Sequence, residues 1–384
     1  MNRYRQLDSL RGLAALSVLL HHFLLILPEF YKNTFSNVEK VNIMKYSPLH
    51  IFFAGHEAVV LFFVLSGFVL AIPMLVDRRS IYSMYLIKRI LRIYMPYIVA
   101  LFISIIAAKI FYSGNIIELS TWFNKTFEPD LNTQQIIQHF LLIPNFYNYK
   151  LNPVIWSLVQ EMRISIIFPF VVIFISRFKS HYVIMTSLML SFVGLTGDIL
   201  TNNALYIPND YFITLHCLAL FILGGLLAKH RNELIQSVRT FTKSTKIILL
   251  ISAILTYTYA WWFFYSIRIV HLFIDDWMTA LGVSFFIILA ISSYKVSKAL
   301  TLRPLIFMGN ISYSLYLYHS IVLLSITHLL FGKVNISIIW TLSLIITFIV
   351  AVLSYYFVEQ PSIKLGKELT QIYKAKYKLS QVKP

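Results

Sequence analysis

The stretch Asp8-Ser9-Leu10-Arg11-Gly12-Leu13-Ala14-Ala15-Leu16-Ser17-Val18-Leu19-Leu20-His21-His22 opens the first long apolar segment and places an acid, a base and two imidazoles inside it. Ionisable side chains are costly within a membrane span and mark function there. Arg11 and His22 are eleven residues apart, close to three turns of an α-helix, so both lie on one face with Asp8 on the same stripe. The rise between them is about 16 Å, half of a hydrocarbon core about 30 Å thick. This predicts Arg11 near one surface and His22 near the midplane. His21 points to one side of that stripe and is the lesser candidate.

The rest of the 384-residue chain repeats the pattern. It is 58% hydrophobic and only 13% charged, against about 25% charged in soluble domains. Apolar stretches of about 20 residues recur from end to end, which predicts an all-α, polytopic transmembrane bundle. Ten spans are expected, at 12–30, 51–75, 93–113, 154–176, 182–198, 212–229, 247–266, 277–293, 313–331 and 336–358. With that assignment 24 of the 33 basic residues fall on the side of the termini, so the positive-inside rule places both termini in the cytoplasm. The net charge of +17 is then a matter of topology and anionic lipid, not of nucleic acid. The first segment has no small-residue cleavage site and is read as retained. A single domain over 1–384 is expected, with residues 359–384 as a short basic cytoplasmic tail and Pro361 ending the last span. Within the 114–153 loop, Ile136–Ile143 is too short to span. The single cysteine, Cys217, has no intrachain partner.

Four further segments carry polar side chains. On the second span, His56 and Glu57 lie in the outer third and Ser66-Gly67 lies toward the cytoplasm, where small residues favour close helix packing. Before the third span, Lys88, Arg89 and Arg92 cluster, and the arginines three apart share a face. Such a guanidinium pair suits phosphate, while topology and headgroup contact explain it as well. On the fourth, Trp156-Ser157-Leu158-Val159-Gln160-Glu161-Met162-Arg163 buries two opposite charges that face different directions, so each needs a partner elsewhere in the bundle. On the ninth, Tyr316 and His319 share a face, though a lone histidine there is more often a packed one. No P-loop, Rossmann glycine pattern, metal motif or nucleophile elbow is present.

Taken in order, these segments resemble the acyltransferase-3 family of integral membrane O-acyltransferases. The Arg11-to-His22 spacing, Phe62-Phe-Val-Leu-Ser-Gly-Phe68, Lys88-Arg-Ile-Leu-Arg-Ile-Tyr-Met-Pro96, Trp156-Ser-Leu-x-x-Glu161 and Ile311-Ser-Tyr-Ser-Leu-Tyr-Leu-Tyr-His319 carry the likeness over residues 5–361. The resemblance implies transfer of an acyl group, usually acetyl, from cytoplasmic acyl-CoA to a hydroxyl of an extracytoplasmic acceptor such as a surface or lipid-linked glycan. It implies no bound cofactor and no metal, and a multi-pass protein of a bacterial cytoplasmic membrane. Some relatives carry an extra extracytoplasmic hydrolase-like domain; none is expected here, which leaves the activity to the membrane domain. In that reading His22 is the general base, Asp8 holds Arg11, and Glu161 orients the acceptor or a catalytic group. Lys88, Arg89 and Arg92 receive the CoA phosphates. His56, Glu57, Ser66, Trp156, Ser157, Arg163, Tyr316 and His319 support the acceptor side. A transporter or flippase for a sugar or lipid-linked sugar is the competing reading, since buried Glu57, Glu161 and Arg163 also suit a substrate path.

Overall fold

A computed structural model describes residues 4–31, 39–76, 82–142, 150–201, 210–262 and 267–381, with side chains to Lys374 in the last helix. Arg78 and Arg79 of the basic segment lie outside the described residues. Among the described residues there are helices and no strands. The long helices are α1 (Arg5–Leu25), α2 (Gly55–Val76), α3 (Tyr82–Phe111), α4 (Ile155–Arg177), α5 (Ser180–Leu200), α6 (Tyr211–Lys229), α7 (Lys243–Tyr257), α8 (Arg268–Ser292), α9 (Arg303–Leu330), α10 (Ile336–Ser354) and α11 (Gln360–Gln381).

Each expected span overlaps one of the first ten helices, and residues 263–266 of the seventh lie outside the described residues. Eight segments among the described residues are long and apolar enough to cross a membrane; α10 and α11 count as one continuous segment, and α1 and α7 fall short. The reasons differ. Helix α1 carries the charges of Arg5, Asp8 and Arg11, and α7 is only 15 residues long.

One local expectation is corrected. Pro361 does not end the last span. A π turn over Tyr355–Glu359 joins α10 to α11, and the helix continues through the proline. The wider turn accommodates a ring that would clash in a regular α-helix and a position that has no N–H to donate. Of the basic segment 359–384, residues Gln360–Gln381 are helical. Helix α11 packs along α3, with Gly366 lying against Leu91 and Lys88.

The centre of the bundle is built from α1, α2, α6 and α9, and two glycine crossings set its geometry. At the first, Gly12 and Gly309 bring α1 and α9 into backbone contact: a Cβ on Gly12 would lie 2.6 Å from the Gly309 nitrogen, and one on Gly309 would run into the Asp8 carbonyl. At the second, Gly67 meets the Phe221 backbone and Gly224 the Val64 backbone, which seats α2 on α6. Close small-residue crossings of this kind drive helix association where lipid is as apolar as the side chains.

At the far ends of α1 and α2, short segments form a cap. Ser120 donates its backbone N–H to Ile26 O at 2.9 Å and its hydroxyl to Leu25 O, which satisfies carbonyls left open at the end of α1. The helix Thr133–Leu141, which holds most of the non-spanning 136–143 stretch, starts with an Asn132/Gln135 capping box. It is held on α3 by Tyr97, whose hydroxyl donates to His139 O at 2.7 Å. Ile143 lies outside the described residues.

Candidate active site

The site begins where α1 and α9 come together beyond the glycine crossing. His319 is fully buried, and its Nδ1 lies 3.1 Å from Leu315 O. A carbonyl only accepts, so Nδ1 carries the proton and Nε2 of the neutral ring holds the lone pair. His22 Nδ1 lies 2.7 Å from that Nε2, so His22 donates from Nδ1 and keeps its own Nε2 as a free, basic nitrogen. The two rings lie nearly coplanar, edge to edge, with centroids 4.9 Å apart and planes 17° from parallel, and Trp122 of the cap stacks on His22 at 5.0 Å. His22 thus sits in the last turn of α1, against Trp122 of the cap. Ser320 Oγ lies 3.2 Å from His319 Nε2.

His21 has a different task. Its Nδ1 bonds Phe53 O at 2.8 Å, and its ring fills the space above Gly55. It ties α1 to the segment leading into α2.

On the opposite side of the glycine crossing lies an open vestibule of about 1270 Å³, bordered by α1, α2, α9, the π turn and α11. Arg11, Arg92, Arg231, Lys364 and Lys367 line it together with Asp8 and Glu359. Arg11, Arg92, Ser312 and Tyr313 also line a smaller cavity of about 80 Å³ that runs inward past Ser66, Arg89, Glu161 and Phe62 to Ser157 and Tyr316. Tyr316 and Ser157 share a hydrogen bond of 2.7 Å, and Ser157 donates onward to Val154 O. The Tyr316 ring lies 5.9 Å from His319. Tyr316 therefore stands between the inner end of this cavity and His319.

The charges of α4 find the distant partners that their directions require. Glu161 accepts from Arg89 Nη2 at 2.8 Å, and Ser165 Oγ accepts from Nε and Nη2 of the same guanidinium. Arg163 donates to Asp210 at 2.9 Å and to Thr214 at 3.1 Å. Of the three clustered basic residues of α3, Arg89 is engaged within the protein, Arg92 lines both cavities, and Lys88 is exposed beside α11. Asp8 stands 4.0 Å from Arg11, at the outer limit of an ion pair. Trp156 packs edge-on against Phe63.

His56 and Glu57 lie apart from the imidazole pair, in a polar network under the cap. Glu57 accepts from Trp261 Nε1 at 2.6 Å and lies 3.4 Å from His50 Nε2. His56 Nε2 meets Asp276 at 2.5 Å. Asp276, His216, Glu359, Trp122 and Tyr313 are all part of these sites, and sequence reading passed over each of them. Isolated polar residues on apolar helices have no spacing signature, although the adjacent carboxylates Asp275 and Asp276 in an apolar run were a usable sign.

Residues 4–356 match the family described as an acyltransferase domain, acyltransferase-3. The chain belongs to this family. It is also similar to the O-acetyltransferases OatA of Staphylococcus aureus strains NCTC 8325 / PS 47 and COL, at 26% identity over 243 residues, 58% of this chain. The chain's match spans 38% of the length of those relatives. No solved structure matches it. Membership in the family fits the geometry: a multi-helix membrane bundle in which the Arg-x10-His helix is one wall of both the vestibule and the imidazole pair.

Proposed function

We propose that this protein transfers an acetyl group from acetyl-CoA to a hydroxyl of an extracytoplasmic glycan, with His22 as the general base. The observation that carries the reading is the ordered pair in which Leu315 O fixes His319, and His319 fixes His22 with Nε2 free. The acceptor hydroxyl gives its proton to His22 Nε2 as its oxygen attacks the thioester carbonyl. The C–O bond forms, the C–S bond breaks, and the imidazolium returns the proton to the departing thiolate. Neutral histidine suits this role because its ordinary pKa lies near the working pH.

The vestibule suits the donor. Arg11 and Arg92 offer guanidinium groups for phosphate at the point where the wide and narrow cavities join. The narrow cavity admits only a thin chain such as the pantetheine arm, and Ser157 and Tyr316 line its end. The basic bias of the sequence supports a cytoplasmic vestibule, and the relatives named O-acetyltransferase support acetyl as the group moved.

Membrane vesicles supplied with acetyl-labelled acetyl-CoA on the cytoplasmic side test this. Label is expected in glycan on the opposite side. His22→Ala is expected to lower that labelling by about 100- to 10,000-fold at near-normal thermal stability. Near-full labelling by His22→Ala removes it from the mechanism. Movement of sugar across the membrane with no label transferred selects the transporter reading instead.

A further inference from the structure

The network under the cap contains a hydrogen-bonded chain that the acyl-transfer site does not use. Trp277 Nε1 donates to Ser191 Oγ at 2.9 Å, and Ser191 Oγ lies 2.8 Å from His216 Nδ1. The serine hydroxyl donates to Nδ1, so His216 carries its proton on Nε2, 2.8 Å from Asp276. The other Asp276 oxygen takes the Nε2 proton of His56 at 2.5 Å. Asp276 is buried, with 6% of its side chain exposed, whereas the His56 side chain is 56% exposed. The chain Ser191–His216–Asp276–His56 therefore holds an exposed imidazole by its Nε2 and leaves its Nδ1 to face a ligand hydroxyl.

A second group beside it lacks a partner. Asp275 is buried and pairs with His271 through one carboxylate oxygen, while its Oδ1 has no hydrogen-bond partner among the described residues. An unsatisfied buried acceptor of this kind costs stability unless a ligand or water supplies a donor. Trp261, held by Glu57, adds an aromatic ring to the same network. A half-exposed imidazole and an unsatisfied carboxylate oxygen, with an aromatic ring held by the neighbouring Glu57, suit a polyhydroxylated ring, which offers hydroxyls and an apolar face. The network reaches the end of α1 that carries the catalytic pair, because Gly55, next to His56, packs on His21, the neighbour of His22.

We infer that the outer ends of α2, α6 and α8 form the acceptor-binding site, where His56 Nδ1 shares a hydrogen bond with one hydroxyl of a carbohydrate and Asp275 Oδ1 accepts from another. Asp276 and His216 are positioning residues that hold His56. The inference rests on the acyl-transfer reading for the purpose of the site, but binding can be measured without any transfer.

The test uses the full chain in nanodiscs and the fluorescence of its tryptophans, two of which lie in the network. Maltotetraose, chitotetraose and tetragalacturonate are the probes: one neutral, one N-acetylated and one anionic. At least one is expected to change the emission saturably. His56→Ala is expected to weaken that binding at least tenfold, and Asp276→Asn to do the same by releasing the imidazole. His56 is exposed, so its variant keeps the test decisive even where Asp276→Asn fails to fold. Binding that persists in His22→Ala but is lost in His56→Ala supports the site, whatever the fate of the catalytic reading. No response to any of the three probes overturns it, as does equal binding by wild type and His56→Ala.

Discussion

Helices α9 and α5 both read as membrane spans, yet they occupy opposite situations. In its most apolar stretch α9 is 78% buried within the protein, whereas α5 is only 28% buried. Helix α9 is also the less apolar of the two. Its serines, tyrosines and histidines each need a partner that lipid cannot give, so it is driven to the centre. Helix α5 satisfies its own backbone and can face hydrocarbon. In α9, then, low hydropathy goes with a central place and with the site, whereas α2, with a mean hydropathy of 2.8, is central through its glycine crossing instead.

The comparison breaks first at the seam of α9 with α1. Gly309→Leu forces a side chain into the Asp8 backbone and is expected to cost about 3 kcal/mol or more, at the upper end of overpacking effects. The protein should lose its monodisperse peak on size-exclusion chromatography, or melt well below wild type. A normal elution profile and melting curve would mean that the crossing can open without penalty.

A smaller effect is expected from the basic residues bordering α9, and it separates their roles. Arg92→Ala should raise the apparent KM for acetyl-CoA about tenfold, the equivalent of about 1.4 kcal/mol, because Arg92 faces both cavities. Arg89→Ala should chiefly lower thermal stability, since it strands Glu161. Lys88→Ala should leave both unchanged. Titration of acetyl-CoA at fixed salt, with melting curves alongside, reads all three. Equal KM changes for the three would assign these charges to topology and lipid alone.

The least effect is expected on the lipid side. Leu353 of α10 is half exposed, and Leu353→Ala should shift stability by no more than about 0.5 kcal/mol. A large loss in a thermal melt would show that this face is covered by another protein surface.

Much of this was legible from the residues. Arg11 and His22 fall on one helix face as their spacing requires, and Glu161 and Arg163 have the separate, distant partners that two-residue spacing demands. The identity of those partners was not legible. Arg89 is 72 residues from Glu161, and only tertiary packing brings them together. His319 showed a further limit: it is a packed, satisfied histidine, and it is also the residue that fixes the tautomer of His22. Spacing arguments tell which residues share a face of one helix, but not which face of a second helix meets them. The π turn was hidden for a similar reason, since a proline after an apolar run is the ordinary sign of a helix end.

The crossing of α1 and α9 has one more consequence. His22 follows Gly12 by ten residues, and His319 follows Gly309 by ten. Two parallel helices touch at their glycines and, the same number of steps further on, at their imidazoles. The glycine contact is thus the zero mark of a ruler shared by both helices, and the hydrogen bond between the rings is read about 15 Å along it. One residue inserted into either helix between these marks would swing its imidazole by about 100° and part the pair, whereas one inserted into both would turn the two rings in step. Any lengthening of this bundle that keeps its chemistry must therefore occur in α1 and α9 together.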